Sequence, residues 1–142
     1  MTLKASNLNP GDTHTATLVE DLKRTQIVQY AGASGDYNPI HTDEIFATEV
    51  AGYPSVFAHG MLTMGMTGKM LTDYVGDERL TKFAVRFTRQ VWPGDDLTAT
   101  ATFTGFEEGD DSLANFEIST TNQDSDVVLS GTAQARVDRQ QD

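Results

Sequence analysis

Cysteine is absent from the 142 residues, which excludes a disulfide framework, thiolate metal sites and any thiol nucleophile. Cations are scarce too: ten Lys and Arg stand against 21 Asp and Glu, giving a formal net charge of −11. A chain so acidic, with its few cations thinly spread, is no general nucleic-acid binder, because phosphate contacts need Lys and Arg in clusters. Apolar residues never run together for the roughly 18 positions a membrane span requires. Met1 to Pro10 holds no basic patch followed by an apolar stretch, so neither membrane insertion nor secretion is encoded and a cytoplasmic protein with an acidic surface is expected. There is no internal repeat or low-complexity linker, and the length suits one domain, residues 1–142, with one core. Carboxylates, three histidines, hydroxyls and the backbone are left to do chemistry.

The hydrophobic pattern predicts an α+β fold. Thr13–Val19 alternates and follows the turn residues Asn9-Pro10-Gly11-Asp12, so a first strand is expected there. Leu22 to Ser34 reads as a short amphipathic helix stopped by Gly35. Thr42 looks like the N-cap of a second short helix running to about Val50. Gly60 to Val75 is apolar around most of its circumference, the pattern of a helix enclosed on nearly all sides, and Gly65 and Gly68 inside it suggest close backbone approach by a sheet. The period then switches to two. Phe83, Val85, Phe87 and Val91 share one face of a long strand, Pro93-Gly94-Asp95 reads as a hairpin turn, and strands through Leu97–Phe103, Ala114–Ile118 and Val127–Val137 complete a four-stranded meander, with Asp138–Asp142 as a frayed tail.

Two clusters could carry chemistry. In Tyr30-Ala-Gly-Ala-Ser34-Gly-Asp36-Tyr-Asn38-Pro39-Ile-His41, an acid and an imidazole lie five residues apart. An extended chain would hold them up to about 17 Å from one another, and Pro39 forces the turn that allows them to converge. An imidazole beside a carboxylate suits proton movement near neutral pH. The same pattern also arises where Asp36 only caps a backbone turn and His41 leads a helix, and spacing alone does not separate the two. In Ala58-His59-Gly60-Met61 the long helix begins, and its free N–H groups form a site for developing negative charge that Gly60 leaves open to close approach. His59 reads as a packing histidine.

Taken together, Ser34-Gly35-Asp36-x-Asn38-Pro39-Ile40-His41, Ala58-His59-Gly60-Met61-Leu62-Thr63 and Val91-Trp92-Pro93-Gly94-Asp95 resemble the MaoC-like (R)-specific enoyl-CoA hydratases and the related 3-hydroxyacyl thioester dehydratases. The resemblance covers most of the chain. It implies a hot-dog fold, an antiparallel sheet wrapped around a long central helix, in a homodimer whose sheets join. It further implies that Asp36 and His41 form the catalytic pair, that the Gly60 N–H serves as oxyanion hole, and that Ser34 and Asn38 support the site beside Ala58, His59 and Met61. The implied substrate is an enoyl thioester carried by coenzyme A or acyl carrier protein, with no resident cofactor and no metal. Lys69, Lys82, Arg86 and Arg89 are candidate contacts for the phosphates of that carrier, or simply solvated cations. A hot-dog thioesterase would use the same fold but commonly places an acid on the central helix, and Gly60 to Thr72 has none. A non-catalytic, acyl-thioester-binding subunit of a heterodimer is the rival from another class, against which the intact Asp36 and His41 count.

Overall fold

The computed structural model describes residues 3–139. β1 (Thr13–Val19) leads into α1 (Arg24–Ser34), and α2 (Gly60–Val75) follows a long connection. Then come β2 (Leu80–Phe87), β3 (Leu97–Glu107), β4 (Asp110–Thr121) and β5 (Val127–Arg136). All pairings are antiparallel, in the order β1-β3-β4-β5-β2. Strand alternation puts Leu97, Ala99, Ala101 and Phe103 of β3 and Ala114, Phe116 and Ile118 of β4 on the inner face. The small alanines there leave room for α2, whose Leu62, Met70, Leu71 and Val75 complete one hydrophobic cluster. The sheet therefore curves around the helix in the expected hot-dog arrangement. No helix among the described residues is long and apolar enough to cross a membrane.

The expected four-stranded meander is only three strands long. β2 pairs with β5, not with β3, so Pro93-Gly94-Asp95 does not close a hairpin between neighbours. β2 ends at Phe87, before Val91, and residues 88–96 form a strap that travels from one edge of the sheet to β3. Gly94, at φ +93°, makes a tight turn at its end, and the buried Asp95 carboxylate secures that turn by accepting the Trp92 N–H at 2.9 Å and the Gln123 amide at 3.0 Å. β2 can close onto β5 because Gly131 has no side chain: a Cβ there would lie 1.9 Å from the Ala84 carbonyl oxygen.

Four further local expectations change. α2 is covered around most of its circumference but not along one stripe, where Met61, Gly65, Lys69 and Asp73 recur exposed every fourth residue. A Cβ at Gly65 would meet nothing within 4 Å, whereas one at Gly68 would touch the Phe83 ring at 3.3 Å, so close packing applies to Gly68 alone and to a side chain. Asp43, not Thr42, caps the short helix that ends in the π-helical turn Phe46–Val50, its Oδ1 accepting the N–H groups of Ile45 and Phe46. Asp138 is not frayed: it bridges to Lys4 and pairs with Arg79. Residues 140–142 of the expected tail lie outside the described residues.

Inside the core, Thr67 of α2 and Thr120 of β4 share a hydrogen bond at 2.8 Å, both fully buried. Each hydroxyl is the other's partner, so loss of one strands the other. Thr67→Val is expected to destabilise the protein by about 1–3 kcal/mol, and Thr67→Val with Thr120→Val to recover part of that loss. Urea unfolding of the three proteins checks this, and a double variant weaker than the single one by the full additive amount would contradict it.

Candidate active site

α1 ends at Ser34, where Gly35 adopts the left-handed conformation (φ +76°) and donates its N–H to Ala31. The chain then descends through three successive side-chain turns, each polar residue receiving the N–H two positions on. Ser34 Oγ accepts from Asp36, Asp36 Oδ1 from Asn38 and Asn38 Oδ1 from Ile40, at 3.1 to 3.2 Å. Asp36 thus does cap a turn, as the simpler reading held, and it also meets the histidine. Ser34 and Asn38 thereby shape the main chain between α1 and His41.

The turn delivers His41 into the interior, 7% exposed. Its Nδ1 lies 2.6 Å from the carbonyl oxygen of Phe57. A carbonyl only accepts, so Nδ1 carries the hydrogen and Nε2 keeps the lone pair. Phe57 is itself held edge-on between the rings of Tyr53 and Trp92, with its N–H donated to Ile40. His59, 2% exposed, stacks on His41 with ring centroids 3.7 Å apart and donates Nε2–H to the main-chain oxygen of Asp36 at 3.0 Å. Its Nδ1 is buried without a partner. Tyr30 of α1 meets the His59 ring edge-on at 4.8 Å.

Asp36, His41 and His59 each offer a donor atom within 4.8 Å of the other two. Three such ligands would be enough for a catalytic divalent ion, but these residues fit one badly. Each imidazole gives one nitrogen to a carbonyl, and rings stacked 25° from parallel direct their remaining in-plane lone pairs along similar planes, not at one centre. The spacing suits a water molecule instead, since two hydrogen bonds of about 2.8 Å through one oxygen span up to about 5.6 Å.

His59 is also the residue on which α2 starts. The Leu62 N–H is taken by the His59 carbonyl at 3.1 Å, and the N–H groups of Gly60 and Met61 stand ahead of it, as first-turn donors do. Gly60 lies against the Phe87 ring so closely that a Cβ would come within 2.9 Å of it. Beside it runs a cleft of about 300 Å³ lined by Phe57, Ala58, Gly60, Thr63, Phe87 and the strap residues Thr88 to Val91. Asp36 and His41 are not among the residues lining that cleft; His41 contacts the ring of Phe57 on its wall at 5.2 Å and stacks on His59, which adjoins Gly60. Thr63, whose buried hydroxyl has no partner, is on the wall.

Of the four candidate cations only Arg89 lines the cleft, and its guanidinium is paired with Asp126. Lys69 bonds Asp73 on the exposed stripe of α2 at 2.6 Å. Lys82 lies in a groove on the outer face of the sheet, and Arg86, four residues on in β2, shares that face. Sequence reasoning missed Phe57, because a backbone carbonyl has no sequence signature, and it undervalued His59, whose only signal was its place beside Gly60.

A family model described as a MaoC-like domain matches residues 6–124. Among curated proteins, the chain is 43% identical over 68 residues to a 3-hydroxyacyl-thioester dehydratase of Mycobacterium tuberculosis, a match covering 46% of this chain and 23% of the relative. It is 37% identical over 100 residues to an enoyl-CoA hydratase of the same organism, covering 68% of this chain and 32% of the relative. The chain thus spans a third or less of the length of these curated relatives. Among solved structures, the unliganded R-hydratase of Pseudomonas aeruginosa superposes with a TM-score of 0.83 at 22% identity, covering 98% of this chain and 88% of that one.

Burial is the largest influence on His41 and depresses its pKa; the bond to Phe57 opposes this, His59 lowers the value further and Asp36 raises it. A depressed histidine pKa adds stability in full above the ordinary imidazole value of 6.5, and that stability is lost as the pH falls through the lower folded value. An NMR titration of the His41 ring is expected to show a midpoint below 6.5; one at or above it would contradict this geometry.

Proposed function

This chain belongs to the MaoC-like domain family, and from that premise we propose that it adds water reversibly to 2-enoyl thioesters, giving (3R)-3-hydroxyacyl thioesters. The observation that carries the reading is the meeting of the Asp36 carboxylate with the His41 imidazole, donor atoms within 4.8 Å, at the leading end of α2. Water held between the two groups loses a proton to Nε2 of His41, the nitrogen left free by the Phe57 bond. Its oxygen bonds to the β carbon. The electrons of the double bond move onto the thioester oxygen, where the Gly60 N–H receives the charge, a donor of a kind typically worth about 3–4 kcal/mol. The enolate collapses as His41 returns the proton to the α carbon, so the pair ends each turnover as it began and the net change is the elements of water. Asp36 accepts the water's other hydrogen and orients it. Coenzyme A or acyl carrier protein supplies the thioester.

The proposal extends to a pair of copies joined along β2. That strand is an edge of the sheet; its Phe87, on the wall of the cleft, is 50% exposed, and Met61 of α2 is 55% exposed. A second β2 laid antiparallel would pair the edge and cover both side chains. Light scattering is expected to give twice the chain mass, and a monomer at assay concentration would remove this part of the reading.

Asp36→Asn and His41→Ala are each expected to lower kcat on crotonyl-CoA by roughly 10²–10⁴-fold, followed as loss of enoyl absorbance. Near-normal turnover in either variant rejects the pair. Release of free thiol in place of hydration would point to a thioesterase.

A further inference from the structure

We infer that His59 is a positioning residue: one buried imidazole holds the main chain at Asp36 through its Nε2–H and the ring of His41 through face-to-face stacking, while its own backbone opens the helix that presents Gly60. This rests on the hydratase reading of the same site, in which His59 touches no reacting atom. Three observations support it independently. The bond to the Asp36 carbonyl is 3.0 Å long, and at 2% exposure water has little access to compete for it. The stack on His41, 3.7 Å between centroids and 25° from parallel, covers one face of that ring, while Phe57 makes a T-shaped contact with it at 5.2 Å. His59 also precedes Gly60 in the chain, so any displacement of the helix start is passed to the acid and to the imidazole at once.

The consequence is that the oxyanion donor and the proton-moving pair, which come from segments some twenty residues apart in sequence, are one mechanical unit. Packing alone would require only a ring of the right size at position 59. The hydrogen bond makes a stronger demand: the nitrogen facing Asp36 must carry hydrogen, which leaves Nδ1 bare, and Nδ1 is indeed the atom without a partner. The groups that face His59 from the elements around it are His41, Asp36 and, from α1, Tyr30.

Two substitutions separate the contributions. His59→Gln can keep an N–H toward Asp36 but not the stack; His59→Phe keeps the stack but not the N–H. Each is expected to lower kcat on crotonyl-CoA about 10–100-fold, as misplacement of catalytic groups by a fraction of an ångström does, with KM changed less than about threefold. The acid limb of kcat/KM should move to higher pH in His59→Gln, because losing the stacked ring lessens the burial that chiefly depresses His41. Wild-type kcat together with an unmoved pH profile in both variants would overturn the inference. Imidazole NMR on the wild-type protein decides the matter even if neither variant folds: His59 should be the Nε2–H tautomer, and an Nδ1–H tautomer would overturn it. If the wild type hydrates no enoyl thioester, the hydratase reading fails by itself, and the NMR result still tests whether His59 holds Asp36.

Discussion

A histidine that donates Nδ1–H to a main-chain carbonyl has only one nitrogen left with which to accept a proton, and the bond from His41 to Phe57 makes that choice here. Much of the surrounding structure serves to hold the Phe57 carbonyl still. Tyr53 and Trp92 pack against its ring, Ile40 receives its N–H, and the next residue, Ala58, donates to Val91 of the strap at 2.8 Å. Tautomer and ring orientation follow from one buried bond and its supports, while burial depresses the pKa against the opposing pull of that bond.

The strap explains why the sheet is not a simple meander. With β2 paired to β5 at the far edge, the chain must cross back to β3, and in crossing it passes the start of α2. The Val91 carbonyl pins Ala58 there, and Asp95 and Gly94 anchor the far end to Leu22. The strand order that looks like an irregularity of the fold is thus what encloses the leading end of the helix, and the cleft beside Gly60 is walled by the strap itself.

The polar interior follows a consistent rule. Thr67 and Thr120 satisfy one another in the core, and Asp95 has two donors at the turn, so each stiffens the frame. Among the described residues the exceptions lie at the leading end of α2: His59 Nδ1 and the Thr63 hydroxyl are buried without partners. Buried polar atoms left unpaired are destabilising, and their concentration where the helix begins agrees with a region shaped for function at some expense to stability.

Much was legible in the residues alone. The strand positions, the long helix, the stop at Gly35 and the turn at Pro39 are local matters of periodicity and backbone preference, and the motifs around Asp36, His41 and Gly60 pointed to the family that the comparison with known proteins then showed. Short-range signals failed where a partner distant in sequence decided the outcome. Pro93-Gly94-Asp95 has hairpin residues whether or not its flanking strands pair, and Gly65 differs from Gly68 only in that Phe83 stands opposite one of them. The sequence by itself determined which elements form and which chemical groups are available. Only the tertiary structure decided which strands adjoin, which nitrogen of His41 stays free and what His59 holds, because each of these depends on a hydrogen bond or ring contact between segments that the chain brings together only on folding.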